Sequence, residues 1–122
     1  MAVSVPPGWP RQVPPAGAPG WQESATAWLL DQCPADYRGH AAWRKYPVAL
    51  AWVATRHVDA QLEAMRSAYR EVRVDLADLV TPEALPEVLA ALEAEGVRLR
   101  ACARAAALLY DALQGKDYVP RL

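Results

Sequence analysis

Phenylalanine is absent from this sequence, and cysteine, methionine and lysine each occur only twice, beside five tryptophans and five tyrosines. With abundant alanine and arginine, this composition is typical of a GC-rich genome. Cys33 and Cys102 lack the spacing of metal ligands, so we expect reduced, buried small side chains rather than a disulfide. No apolar run approaches the roughly 20 residues of a membrane span, and prolines interrupt the N-terminus where a signal segment would be apolar. We therefore expect a cytoplasmic protein without a cofactor, a metal or a membrane contact.

Neither sign of charge is in clear excess, because the sequence has 13 basic and 14 acidic side chains and a net charge of −1. No overall field therefore draws the protein to nucleic acid or to an anionic membrane. The length of 122 residues suffices for one domain with a real core. The interaction partner that the sequence favours is therefore another protein.

A long heptad pattern dominates the chain between Val48 and Leu79. Its positions at spacings of three and four are Val48, Ala51, Thr55, Val58, Leu62, Met65, Tyr69, Val72, Leu76 and Leu79. Such a pattern predicts a long helix that packs on another helix. Pro47 suits the first turn, so we place this helix at about 47–80.

A second long helix is predicted at about 82–114, with Thr81 as its cap and Gly115 as its stop. Two or three connecting residues predict an antiparallel hairpin. In that register Gly96 lies opposite Ala68 and Tyr69, and we expect the tyrosine to cover it. The fold class is therefore all-α, with residues 21–115 as the helical domain and 116–122 as a tail.

Residues 1–20 hold six of the eleven prolines and predict a polyproline-like arm that is extended or draped over the body. One hypothesis makes this arm a docking peptide with Trp9 as its anchor. We favour the alternative that Val5, Trp9 and Val13 lie back on the protein's own core. After the arm, a short amphipathic helix at about 21–33 is expected to pack on the open end of the hairpin.

A helix of about 20 Å cannot cover a hairpin more than twice as long. The far half of the hairpin therefore predicts a partner, most simply a second copy that completes a four-helix bundle. The candidate self-association residues are Leu76, Leu79, Leu85, Val88 and Leu89.

Two other functions are possible on residue type alone. An unrecognised small enzyme would draw on a thiol, a base and an orienting carboxylate, but the candidates show no family spacing; they are Cys33, Asp36, His40, His57, Asp59 and Cys102. A nucleic-acid-associated accessory protein would use six arginines on the long helices, but nearby carboxylates favour mixed-charge solvation; these are Arg66, Arg70, Arg73, Arg98, Arg100 and Arg104.

The tract from Trp28 to Gly39, WLLDQCPADYRG, together with Pro7-Gly8-Trp9-Pro10, resembles small uncharacterised helical proteins of high-GC actinobacteria. The resemblance covers the first half of the chain and implies no activity, cofactor or site residue. The apolar seam and the uncovered half of the hairpin lead us to expect a non-enzymatic interaction protein or accessory subunit. Its expected partner is a homodimer mate or another helical protein.

Overall fold

Helices account for 71% of the computed structural model, which describes residues 5–116 and 118, and this part of the chain contains no strand. The predicted all-α class and the helical hairpin are confirmed. The elements in chain order are α1 (Trp21–Asp31), a short 3-10 helix (Ala35–Gly39), α2 (Ala41–Lys45), α3 (Pro47–Asp75) and α4 (Ala84–Leu113). Residues 1–4 of the predicted arm and residues 117 and 119–122 of the predicted tail lie outside the described residues.

The two long helices α3 and α4 pack along each other as an antiparallel hairpin. Proline fits the start of α3 because the first amides of a helix have no partner inside it, so Pro47 loses no hydrogen bond there. The buried face of α3 repeats at helical spacing, as an apolar seam requires. Its buried members are Leu50, Ala51, Ala54, Val58, Leu62 and Val72.

The connection between the long helices is longer than predicted. The first helix ends at Asp75 rather than about 80, and the second begins at Ala84, so eight residues, 76–83, form the turn. Pro82 disfavours helical geometry at the residue before it, which separates the two helices. The predicted Thr81 cap is wrong, since α4 starts without a side-chain cap hydrogen bond.

Both ends of the predicted heptad seam are exposed to solvent. Val48 is 39% exposed and Leu79 is 76% exposed, whereas Val58 and Leu62 between them are buried. A heptad pattern shows which face of a helix is apolar, but burial also needs a neighbour opposite that face. At Leu79 the chain has already left α3 for the connecting turn.

The proline-rich arm folds back through consecutive turns instead of remaining extended. The Trp9 amide donates to the Pro6 carbonyl at 3.1 Å, and the Val13 amide donates to the Pro10 carbonyl at 3.2 Å. Gly8 has φ +96°, a conformation that L side chains rarely adopt, and an added Cβ would lie 2.6 Å from Cγ of Arg104. Glycine at this position therefore allows the arm to approach α4 closely.

The arm anchors itself on the main core, as the favoured hypothesis expects. Val13 is 3% exposed, and Trp9 packs against the same core while its indole Nε1 donates to the Val13 carbonyl at 2.9 Å. The ring of Trp9 also lies 6.4 Å from that of Trp21. Val5 departs from the expectation, since it is 41% exposed.

The main core lies at the open end of the hairpin, where α1, the arm, α3 and α4 meet. Helix α1 ends at Asp31 rather than about 33, because Gln32 and Cys33 continue as a turn before Pro34. Its predicted apolar face is otherwise as expected, with Ala25 and Leu29 buried. The buried set is Val13, Ala25, Leu29, Leu30, Leu50, Ala51, Ala54, Ala106 and Leu109.

The far half of the hairpin has much less core. A second, smaller cluster contains Val58, Leu62 and Leu99. The structure describes every residue from 65 to 92, and Val72, at 6% exposure, is the one buried hydrophobic residue among them. The 11 residues of α1 span about 16 Å, whereas the 29 of α3 span about 44 Å, so α1 cannot reach this half.

The burial of Val13 predicts that the arm contributes to the stability of the domain. We expect Val13→Ala to lower the free energy of unfolding by about 1.5–3 kcal/mol, through lost burial and the cavity left behind. Urea denaturation followed by circular dichroism measures this change. Val5→Ala in the same arm is the matched control and should change stability by less than about 0.5 kcal/mol. Equal effects of the two substitutions would contradict a docked arm.

Candidate functional site

The residues considered for catalysis do not assemble into a nucleophilic centre. His57 lies partly buried, and its Nε2 is 2.8 Å from the Tyr37 hydroxyl, rather than being solvated as its outer heptad position suggests. The Tyr37 ring stacks on Trp43 with centroids 5.2 Å apart, which holds the tyrosine in place. This histidine is therefore tied to a tyrosine in an aromatic cluster.

Cys33 has the wrong electrostatics for a nucleophile. Burial raises the pKa of its thiol above the ordinary value, and the positive charge of Arg38 opposes this shift only in part. The nearby guanidinium is itself bound to the Asp31 carboxylate. A raised pKa leaves little thiolate at neutral pH, and the thiolate is the reactive form.

The remaining candidates for acid–base or metal chemistry are exposed or make only a weak contact. Asp36, His40 and Asp59 are exposed, and the sulfur of Cys102 accepts a weak contact of 3.7 Å from Arg98. Within the described residues, no group of three or more His, Cys, Asp or Glu side chains is placed to hold a metal ion.

The raised pKa of Cys33 predicts slow alkylation. In the folded protein at neutral pH we expect Cys33 to react with iodoacetamide at least about tenfold more slowly than in the urea-unfolded chain. The midpoint of the rate against pH should lie above the usual range of about 8.5–9, because the buried thiol gives up its proton less readily. Mass spectrometry of the alkylated peptides measures the rate, and the unfolded chain is the control. A midpoint below that range would instead indicate an activated cysteine.

The six arginines considered for nucleic-acid binding are divided among four locations. Arg98 is bound to Glu95 on its own helix, and Arg104 packs beneath Gly8 while its Nε donates to the Pro7 carbonyl at 3.3 Å. The guanidinium of Arg73 lies 5.7 Å from the centre of the Tyr69 ring. The other three, Arg66, Arg70 and Arg100, line one groove.

That groove runs between α3 and α4 in the far half of the hairpin and has a volume of about 390 Å³. Its apolar lining comes from Leu62, Met65, Tyr69 and Leu92, with Gly96 between them. Its charged lining is Arg66, Arg70, Arg100 and Glu93. An apolar surface bordered by charge is suited to bind another amphipathic surface.

Charges around the groove are only loosely paired. Glu63 lies 3.8 Å from Arg66 and 3.6 Å from Arg70, and all three side chains are more than half exposed. Exposed ion pairs of this kind contribute little, about 0–1 kcal/mol. These guanidinium groups can therefore exchange Glu63 for another carboxylate at small cost.

Gly96 leaves the groove open, and the expectation that Tyr69 covers it is wrong. A Cβ added at Gly96 would meet nothing nearer than Nη1 of Arg100, at 3.9 Å. Tyr69 lines the same groove but stands away from the glycine. Sequence spacing put the two residues at the same level of the hairpin without showing the gap between them.

The open space predicts that Gly96→Ala stabilises the protein. We expect a gain of about 0.5–1 kcal/mol, because alanine restricts the unfolded chain and favours the helix without a clash. Thermal and urea unfolding at low micromolar concentration measure the change. Gly39 also has nothing within 4 Å of an added Cβ but lies in a 3-10 helix, so Gly39→Ala controls for the general effect of removing a glycine. Destabilisation by Gly96→Ala would show that the groove is closed in solution.

The candidate self-association residues lie at the same end of the molecule as the groove. Leu79 projects from the connecting turn, and the other four are half-buried; they are Leu76, Leu85, Val88 and Leu89. The candidate anchor of the arm, Trp9, lies at the opposite end against the main core. The five self-association residues thus lie in the connecting turn and the first turns of α4, and Trp9 lies elsewhere.

No family model, curated protein or solved structure matches this chain. The resemblance to actinobacterial proteins therefore stays a prediction. Among the helices of the described residues, none combines the length and the hydropathy needed to cross a bilayer.

Two contacts described above could not be predicted from the sequence. The Tyr37–His57 contact joins residues 20 positions apart, and the Arg104–Pro7 contact joins residues 97 apart, so no local spacing signals either one. The groove itself had one available signal, a glycine in the middle of a long helix. Such a glycine marks a position where a side chain is either excluded or unnecessary.

Proposed function

We propose that this protein works by protein–protein association and that it binds a second copy of itself through the far half of the hairpin. The observation that carries the proposal is the uncovered stretch beyond the reach of α1. There the two helices have no further layer on them, and five large apolar residues are solvent-exposed or half-buried beside an open groove. A helix pair of this kind buries one narrow seam and gains stability from a further layer.

A second copy supplies that layer in the simplest way. Two hairpins packed on each other form a four-helix bundle, an arrangement that closed two-fold symmetry permits. Covering apolar area contributes roughly 25 cal/mol per Å², and the cost of association and side-chain ordering offsets part of that gain. We therefore expect micromolar rather than nanomolar dimerisation. The two free cysteines, Cys33 and Cys102, are in keeping with a reducing compartment such as the cytoplasm.

A nucleic-acid role is the second candidate, because Arg66, Arg70 and Arg100 line one groove. Two observations weigh against it. Arg98 already pairs with Glu95, and Arg104 already contacts the arm. Glu63 and Glu93 also place negative charge beside the three groove arginines. A helical protein partner fits the mixed charge and the apolar lining better than a phosphate backbone does.

Self-association predicts that polar substitution at Leu79 weakens the dimer. Sedimentation of the wild type from about 1 to about 500 µM should show monomer converting to dimer. Leu79→Gln should raise the dissociation constant about tenfold or more, since it removes exposed apolar surface without adding charge. Helicity by circular dichroism should not change, because Leu79 lies outside α3 and α4.

The matched control is Val48→Gln, which alters an exposed apolar residue at the other end of the hairpin. It should leave the dissociation constant within about twofold of the wild type. A wild type that stays monomeric throughout the range would overturn the proposal. A mobility shift of a DNA or RNA oligonucleotide at physiological salt, with no dimer, would favour the second candidate.

A further inference from the structure

Charge along the hairpin is sharply segregated despite the near-neutral total. From 74 to 97 the sequence contains six acidic residues and no basic one. Four of the six lie at the hairpin tip, which we define as residues 75–87, and all four are exposed. They are Asp75, Asp78, Glu83 and Glu87, and no ion pair between described residues involves them.

The groove next to the tip carries the opposite charge. Its charged lining is three arginines and one glutamate, with Glu63 held loosely at the edge. The apolar lining between these groups has space for an incoming side chain, since Gly96 contributes none. A surface that fits this groove therefore has a projecting apolar side chain with acidic residues around it.

The hairpin tip matches that description. Leu79 is 76% exposed and follows Asp78 directly, so an apolar side chain projects from an acidic segment. Four further self-association residues are half-buried, Leu76 in the connecting turn and Leu85, Val88 and Leu89 on α4. Tip and groove are thus complementary in charge and both partly apolar.

Orientation decides whether two copies can use this complementarity. If the copies packed with their tips side by side, eight exposed carboxylates would crowd together, and like charges oppose association. If they packed antiparallel, each tip would lie over the arginines of the other copy. Arg70 and Asp75 are five residues apart on α3, about 7.5 Å along its axis. A two-fold axis crossing the hairpin at the level of Val72 therefore brings the level of Asp75 in one copy to the level of Arg70 in the other.

We propose that a second copy docks antiparallel, so that the acidic tip of each copy enters the arginine-lined groove of the other. This inference rests on the proposed self-association and specifies its surface, its orientation and its charge pattern. Apolar contact supplies the affinity, and the charges fix the register of the two hairpins.

A charge-swap experiment tests the orientation directly. The groove variant carries Arg70→Glu with Arg100→Glu, and the tip variant carries Asp75→Lys, Asp78→Lys, Glu83→Lys and Glu87→Lys. All six side chains are exposed, so we expect both variants to keep wild-type helicity. Each variant alone should dimerise at least about tenfold more weakly, because tip and groove then have charges of the same sign.

Mixing the two variants should restore association. In the mixed dimer, the acidic groove of one copy meets the basic tip of the other, and the reverse contact pairs a basic groove with an acidic tip. Sedimentation equilibrium should give a dissociation constant for the mixture within about threefold of the wild type. Wild-type dimerisation should also weaken between about 0.05 M and about 0.5 M salt, because exposed charges are screened.

A third variant tests the groove without changing charge. Gly96→Leu places a side chain where the second copy would enter, so it should abolish dimerisation while helicity and monomer stability are retained. The control for the charge changes is Arg11→Glu with Lys45→Glu, two exposed basic residues outside the hairpin, which should leave dimerisation unchanged.

The outcomes separate this inference from the proposal beneath it. A wild type that remains monomeric overturns the self-association itself. A wild type that dimerises, with variants that dimerise equally well or that fail to rescue each other, keeps self-association and overturns the antiparallel tip-in-groove contact. Nucleic-acid binding that the groove variant loses, with its dimerisation intact, assigns the groove to phosphate and also overturns the contact.

Discussion

The packing of α3 on α4 is the contact on which the rest of the structure depends, and its limit is set by length. Two helices side by side bury one seam each and leave their outer faces exposed to solvent. At the open end, α1 and the arm add a further layer, and nine side chains there form the main core. Beyond the cluster of Val58, Leu62 and Leu99, that layer is missing, although the helices continue. The incomplete half is also where the groove and the charge segregation lie.

Besides the packing of Val13 and Trp9 on the main core, Arg104 of α4 links the arm to the hairpin, and the arginines near it show how α4 distributes its positive charges. Residues two positions apart on a helix point about 200° apart, so Arg98 and Arg100 face nearly opposite sides. Arg98 pairs with Glu95, Arg100 lines the groove, and Arg104 supports the arm beneath Gly8. Three arginines within seven residues thus serve three different contacts. A cluster of charge in a sequence therefore need not form a charged surface.

Sequence periodicity was sufficient to predict the helical hairpin, but it did not predict what packs against the hairpin. Pro47 and the spacing of Val58, Leu62 and Val72 predicted α3 because both act within a few residues of the helix. The same spacing included Leu79, which is exposed, since periodicity carries no information about what lies opposite. The docking of the arm on Arg104 and the contact between Tyr37 and His57 join residues far apart in the sequence, so they could not be predicted locally. The groove beside Gly96 was missed for a related reason, because spacing gives the level of a residue along the hairpin but not the gap between helices.

For the proposed association through tip and groove, symmetry determines whether the assembly ends at two copies or continues. A head-to-tail contact uses the tip of one copy and the groove of the next, which leaves one tip and one groove free at the ends of the assembly. Such contacts extend into filaments unless the rotation closes. The tip and the groove of this hairpin lie on adjoining turns of the same two helices, so an antiparallel pair satisfies both contacts at once. The closeness of the acidic tip to the basic groove therefore favours a closed dimer over an open chain.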